Sequence, residues 1–147
     1  MEVVSEAFAG VPGRHGSVLG IIRSAQLPHF DVNTGHRPDV RNPPNPWVEI
    51  PIFTHLPYSG DRGKDDLSRN HINVLTSDVI VALPGSAGTL SEVELALEYE
   101  RPIILFLGKE SVNGRKASDL IQDAASAVRI ADDLGQLEAQ LREFLAG

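Results

Sequence analysis

The segment that most constrains this chain is Val79-Ile80-Val81-Ala82-Leu83-Pro84-Gly85-Ser86-Ala87-Gly88-Thr89-Leu90-Ser91-Glu92. Its first five residues are apolar without interruption and rich in β-branched side chains, which reads as a strand buried on both faces. Pro84-Gly85 ends the strand, and Leu90, Val93 and Leu97 then recur at helical spacing on one face. The small-residue turn therefore joins the carboxyl end of a strand to the amino end of a helix. In parallel α/β sheets ligands sit at the carboxyl ends of the strands, so this turn is the first candidate for a site.

The alternation continues on both sides. Residues 1–8 are compatible with a helix that stops against Gly10, Pro12 and Gly13, and Ser17-Val18-Leu19-Gly20-Ile21-Ile22 reads as a short buried strand. Trp47-Val48-Glu49-Ile50-Pro51-Ile52-Phe53 is strand-like but holds a proline, which points to an edge or a bulge. Residues 65–75 are a helix candidate with Leu67, Ile72 and Leu75 as its apolar stripe. Pro102-Ile103-Ile104-Leu105-Phe106-Leu107-Gly108 is a second strand apolar on both faces, followed by a helix over 116–126, a short strand over 128–130 and an amphipathic helix over 134–145 with Leu137, Leu141 and Leu145 four residues apart. Strands apolar on both faces alternating with helices imply an α/β fold, a doubly wound parallel sheet in three layers. Seven of the ten prolines lie between residues 28 and 57, so residues 23–46 read as a long Pro-rich loop.

The chain has 147 residues, and at about 150 per domain it reads as a single domain over 1–147, with no internal repeat. A content of 41% apolar and 22% charged residues fits a globular protein, and there is no long uncharged run to span a membrane. The absence of cysteine excludes a disulfide framework, a thiolate zinc site and a cysteine nucleophile. The start Met1-Glu2-Val3-Val4-Ser5-Glu6 is acidic and lacks the features of a secretory signal, which favours the cytoplasm. The net charge is −7, and residues 75–147 carry 12 acidic groups against 6 basic ones. Nucleic-acid binding draws on clustered Lys and Arg, and the longest basic cluster is Arg115-Lys116, so neither nucleic acid nor membrane is an expected partner.

Within 84–92, small residues allow close approach of the backbone, while the N–H groups and positive dipole end of the helix suit a phosphate or another oxyanion. The segment is neither a P-loop nor a GxGxxG fingerprint. A structural reading stands beside this one: Thr89 and Glu92 have capping-box spacing, and glycines are routine in tight turns. Arg69 has the geometry for phosphate recognition, and also the spacing for a local ion pair with Asp65 or Asp66. No pair among His29, His36, His55 and His71 has helical zinc-site spacing, so they read as surface or capping residues and no metal is assigned. Glu94, Glu98 and Glu100 read as the solvated face of the helix.

Leu83-Pro84-Gly85-Ser86-Ala87-Gly88-Thr89-Leu90-Ser91-Glu92 resembles the PGGxGTxxE signature of a Rossmann-like superfamily once called lysine decarboxylases. That superfamily includes molybdenum-cofactor carrier proteins and the Lonely Guy phosphoribohydrolases. Ser68-Arg69-Asn70-His71-Ile72-Asn73-Val74-Leu75-Thr76-Ser77-Asp78 resembles the arginine helix and strand entry that precede the signature in that superfamily. The resemblance implies a Rossmann-like fold, homo-oligomers and a phosphorylated nucleotide- or pterin-type ligand, the molybdenum cofactor among them. It places that ligand at Pro84, Gly85, Ser86, Ala87, Gly88 and Thr89, with Arg69 and Asn73, and gives Arg69 and Glu92 the positions that cleave an N-glycosidic bond in the hydrolases.

Departures from the pattern separate the branches. The hydrolases carry Arg-Lys and two successive glutamates where this chain has Arg69-Asn70 and Ser91-Glu92, forms that resemble the carrier branch. Ser86 replaces a glycine, and its β-carbon would restrict a positive φ. Residues 1–8 resemble the helix that follows the first glycine-rich loop of the superfamily, so the first strand, first helix, second strand and that loop have no counterpart in this sequence. Three readings follow: a carrier-like binding protein, a nucleoside 5′-monophosphate phosphoribohydrolase, and an oligomer-forming domain whose turn only caps a helix.

Overall fold

Each of the five apolar runs read as strands forms one in the computed structural model, which describes residues 2–23, 45–121 and 128–146. The expected loop over 23–46 lies outside the described residues except at its ends, as do His29, His36 and the last part of the expected helix over 116–126. All strand pairings are parallel, in a two-stranded and a three-stranded sheet interspersed with helices, which is the α/β architecture the sequence implies. The chain divides into two compact units, Met1–Tyr58 and Ser59–Gly147. No described helix is long and apolar enough to cross a membrane.

The second unit holds the main core. Its strands β3 (Ile80–Ala82), β4 (Ile103–Leu105) and β5 (Val128–Ile130) lie in the order β3-β4-β5. With a neighbour on each side, β4 has no exposed position, and Ile103, Ile104 and Leu105 are each 0% exposed. Val93, Leu95 and Ala96 of α3 (Ala87–Glu98) join Val74, Leu107, Val112 and Leu120 in the same cluster, with Leu90 and Leu97 packed at its margin. Burying a side chain of this size contributes about 1.5–3 kcal/mol, so this cluster is the main source of the unit's stability. The helix α4 (Ala117–Leu120) adds Leu120, and α5 (Leu134–Leu145) starts at Asp133, whose carboxylate accepts from Gln136 N at 2.8 Å.

The expected helix over 65–75 is shorter and turns a different face inward. Only Asn70–Leu75 is helical (α2), after a 3-10 turn at Gly60–Arg62. Val74 and Asn70 are buried while Leu75 is exposed, so the stripe of Leu67, Ile72 and Leu75 is not the packed face. Hydrogen bonds from Asp65 N to Arg62 O and from Ser68 N to Asp65 O keep the preceding segment in turns.

In the first unit, α1 (Glu2–Ala9) ends with Gly10 N bonded to Glu6 O, and β1 (Leu19–Ile22) pairs with β2 (Ile50–Phe53). Ile50 N donates to Val18 O and Thr54 N to Ile22 O, so the missing N–H of Pro51 falls on the side away from β1. That is the edge position a proline requires. The expectation that β1 is buried holds only for Ile21; Leu19 is 52% exposed and every residue of β2 is exposed. An apolar run encodes a strand, but its burial needs layers on both faces. Polar ties hold the pair instead: Glu49 accepts from Arg14 at 2.7 Å and from Val18 N at 2.8 Å. These bonds lower the carboxyl pKa of Glu49 below its ordinary range, and the bond to Glu49 raises that of Arg14.

Candidate functional site

The turn after β3 opens α3 three residues earlier than capping-box spacing implies. Ser86 is the N-cap, with φ −107° and ψ −157°, and Thr89 is the third residue of the helix. The capping box of Thr89 and Glu92 is therefore not formed, because Pro84-Gly85 ends the strand immediately before a residue well suited to the N-cap. The negative φ of Ser86 also removes the expected penalty for its β-carbon: the backbone is extended there, and any residue adopts it. The Ser86 hydroxyl makes no capping hydrogen bond, and Pro84, Gly85 and Ser86 are all exposed. The first N–H groups of a helix have no acceptor within it, so those of Ala87, Gly88 and Thr89 are directed at this exposed turn.

The two glycines of the turn differ in role. Helix side chains lean toward the N-terminus, which lays Thr89 over Gly85. A Cβ built on Gly85 would stand 2.2 Å from Thr89 Oγ1 and 2.9 Å from Thr89 Cβ. Packing inside the motif thus requires Gly85. At Gly88 the nearest atom to a built Cβ is the Gly60 Cα, 3.7 Å away, an ordinary contact. A glycine within a helix costs roughly 0.5–1 kcal/mol relative to alanine, and here no contact demands it.

Two segments flank the turn. On one side Gly85 N donates to Ser111 O (3.4 Å), Asn113 N donates to Gly85 O (2.8 Å), and Val112, fully buried, bridges to Gly85. On the other, Ser91 Oγ lies 3.0 Å from Gly60 O, docking the 3-10 turn on α3. Gly63 is needed at that contact, since a Cβ there would come within 2.6 Å of both Ser91 Oγ and Asn70 Nδ2. The outer face of α3 is less free than the expected solvated face: Glu94 pairs with Arg115 (3.3 Å) and Lys64 (3.7 Å), and Glu98 with Lys64 (3.5 Å).

Of the residues expected to form the site, the structure brings Glu92 and Asn73 into direct contact. Asn73 Nδ2 donates to Glu92 Oε1 at 3.0 Å, joining α2 to α3 and orienting a half-buried carboxylate. Arg69 is half-buried at the N-cap position of α2, next to Asn70, whose buried amide lies against Gly63 beside Ser91. Both ring nitrogens of His71 are engaged, Nδ1 with Tyr99 Oη (2.9 Å) and Nε2 with Asp65 O (3.0 Å). Among the described residues no group of three or more His, Asp or Glu side chains could hold a metal ion.

The flanking segments at 60–63 and 111–115 were not singled out from sequence. The Asn113-Gly114 dipeptide was a readable signal for a tight turn. Nothing in the residues around Gly60 and Gly63 tied that segment to α3.

Residues 1–140 match the model of the SLOG cluster4 family. No curated protein and no solved structure matches the chain.

Proposed function

Because this chain belongs to the SLOG cluster4 family, we propose that it is a binding protein for a phosphorylated nucleotide- or pterin-type ligand, of the kind held by molybdenum-cofactor carriers. The observation that carries the reading is the uncapped amino end of α3, exposed at the carboxyl end of β3 with the Ser86 hydroxyl uncommitted. Backbone N–H groups and the helix dipole there favour an anion. In this reading the phosphate lies over residues 85–89, and Arg69 at the head of α2 supplies the cation. Asn73 acts through Glu92, whose carboxylate it orients. Equilibrium dialysis against a panel of nucleotides and pterins tests the proposal. Binding of a phosphorylated member, weakened at least tenfold in Arg69→Ala, is the expected result; no binding by the folded protein at millimolar ligand overturns it.

The contact between Asn73 and Glu92 favours a second reading, a nucleoside 5′-monophosphate phosphoribohydrolase. There Glu92 would assist departure of the base or attack of water at the anomeric carbon, with Arg69 orienting the phosphate. Release of free base from AMP, abolished in Glu92→Gln, is the outcome that would select it over the carrier.

A further inference from the structure

The turn that holds Gly85 has a reactivity of its own. Val112 N donates to Arg115 O and Arg115 N to Val112 O, both at 2.9 Å, with Asn113 at φ +49° and Gly114 at φ +80° between them. Positive φ at both central positions is the hairpin turn that selects Asn-Gly. In that dipeptide the amide nitrogen following the asparagine has no side chain beside it, so it reaches the asparagine side-chain carbonyl more readily than in any other pair. Asn113 is the one asparagine in the sequence followed by glycine; the others precede threonine, proline, histidine or valine. Asn113 and Gly114 are both exposed.

We propose that Asn113 is a site of spontaneous deamidation, and that its conversion loosens the glycine turn at the head of α3. Gly114 N attacks Asn113 Cγ, a C–N bond closes a five-membered succinimide, and the side-chain nitrogen leaves as ammonia, carrying the proton lost by Gly114 N. Water then opens either ring carbonyl to give aspartate or isoaspartate. Water is the only co-reactant, and nothing is oxidised or reduced. Attack requires Asn113 to leave its turn conformation, so the reaction proceeds through local opening, which the wholly buried Val112 restrains.

The consequence reaches the candidate site through the backbone. Asn113 N donates to Gly85 O, Gly85 N donates to Ser111 O, and Val112 bridges to Gly85. Either product replaces a neutral amide with a carboxylate beside a turn suited to anions. Isoaspartate also lengthens the main chain within the turn and disrupts the spacing that presents its N–H to Gly85. The change is one-way and leaves the core strands untouched.

The test ages the full chain in mildly alkaline buffer at physiological temperature and maps its peptides by mass spectrometry. The expected result is a gain of one mass unit with an isoaspartyl linkage at Asn113, ahead of Asn70 and Asn73, faster in Val112→Ala and lost in Asn113→Gln. Should Val112→Ala fail to fold, the wild type and Asn113→Gln still decide the matter. An unmodified Asn113 in the folded protein, while a free peptide of residues 109–117 converts in the same buffer, overturns the proposal. The coupling has its own readout: Asn113→Asp is expected to speed hydrogen exchange of residues 83–88 several-fold, and unchanged exchange overturns that part. No ligand enters either measurement, so their failure is distinct from failure of the binding reading.

Discussion

Two parallel sheets in this chain are built from apolar runs of the same kind, and only one of them is buried. Ile103, Ile104 and Leu105 of β4 lie between β3 and β5 and are fully enclosed, with α3 contributing to the same core. Ile50, Ile52 and Phe53 of β2 are exposed, and β2 has β1 as its one partner among the described residues. The difference lies in neighbours, since strands of a parallel sheet are buried when both faces of the sheet are covered. Substitution can break the comparison directly. Ile104→Ala is expected to cost about 2–5 kcal/mol by the transfer and cavity terms of a core deletion. Ile50→Ala should stay within about 0.5 kcal/mol, as surface changes do. Urea unfolding followed by circular dichroism measures both, and equal losses would mean that β2 is covered in solution.

A smaller effect separates the two units by what their glycines do. Gly20 in β1 is confined by Val48, whose Cγ1 would stand 2.9 Å from a built Cβ, whereas Gly85 is confined at 2.2 Å by Thr89 of the same motif. Gly85→Ala is expected to cost about 1–3 kcal/mol, the range of overpacking. Adding Thr89→Ala should restore part of that loss, because it removes Oγ1, the closest atom, while leaving Cβ. A double-mutant cycle reads the coupling. Additive losses would mean that the Gly85 requirement has a source other than Thr89.

How much of this was legible in the sequence follows the same division. Among the described residues each strand falls on a run the sequence marks as apolar, because a short apolar run bounded by breakers has few other uses where no described helix is long and apolar enough to cross a membrane. Periodicity misplaced the inward face of α2, where polar Asn70 is buried and Leu75 is exposed, because a six-residue helix is too short for a stripe to dominate over packing against Gly63 and Ser91. The glycine turn lies where the sequence places it, but the sequence leaves Thr89, Ser86 and Ser91 all open as caps, and only the structure selects Ser86. All three are good caps by type, and the deciding fact is where Pro84-Gly85 ends the strand. The tight turn within 111–115 is legible in Asn113-Gly114, but neither its docking on Gly85 nor that of 60–63 on α3 is, since long-range docking through backbone carbonyls leaves almost no trace in residue type.

The smallest predicted effect concerns acid, and it falls on the first unit alone. Glu49 accepts from Arg14 and from Val18 N, and these bonds lower its pKa in the folded chain. A carboxylate with a lowered folded pKa stabilises the fold fully above its unfolded pKa, and that contribution is lost as pH falls through the folded value. Arg14, raised above an already high value, stays protonated throughout and adds no pH dependence in this range. Because the Glu49 carboxylate is exposed, salt should weaken the pair as well. Trp47, the one tryptophan, lies two residues from Glu49 and reports on this unit. Its fluorescence is expected to change below the ordinary carboxylate range while the helical signal of α3 and α5 persists, and Glu49→Gln should show the altered fluorescence already at neutral pH and lose the transition. If Trp47 and the helical signal instead change together in acid, the two units share one cooperative transition, and the contrast between the exposed and buried sheets is one of surface rather than of independent stability.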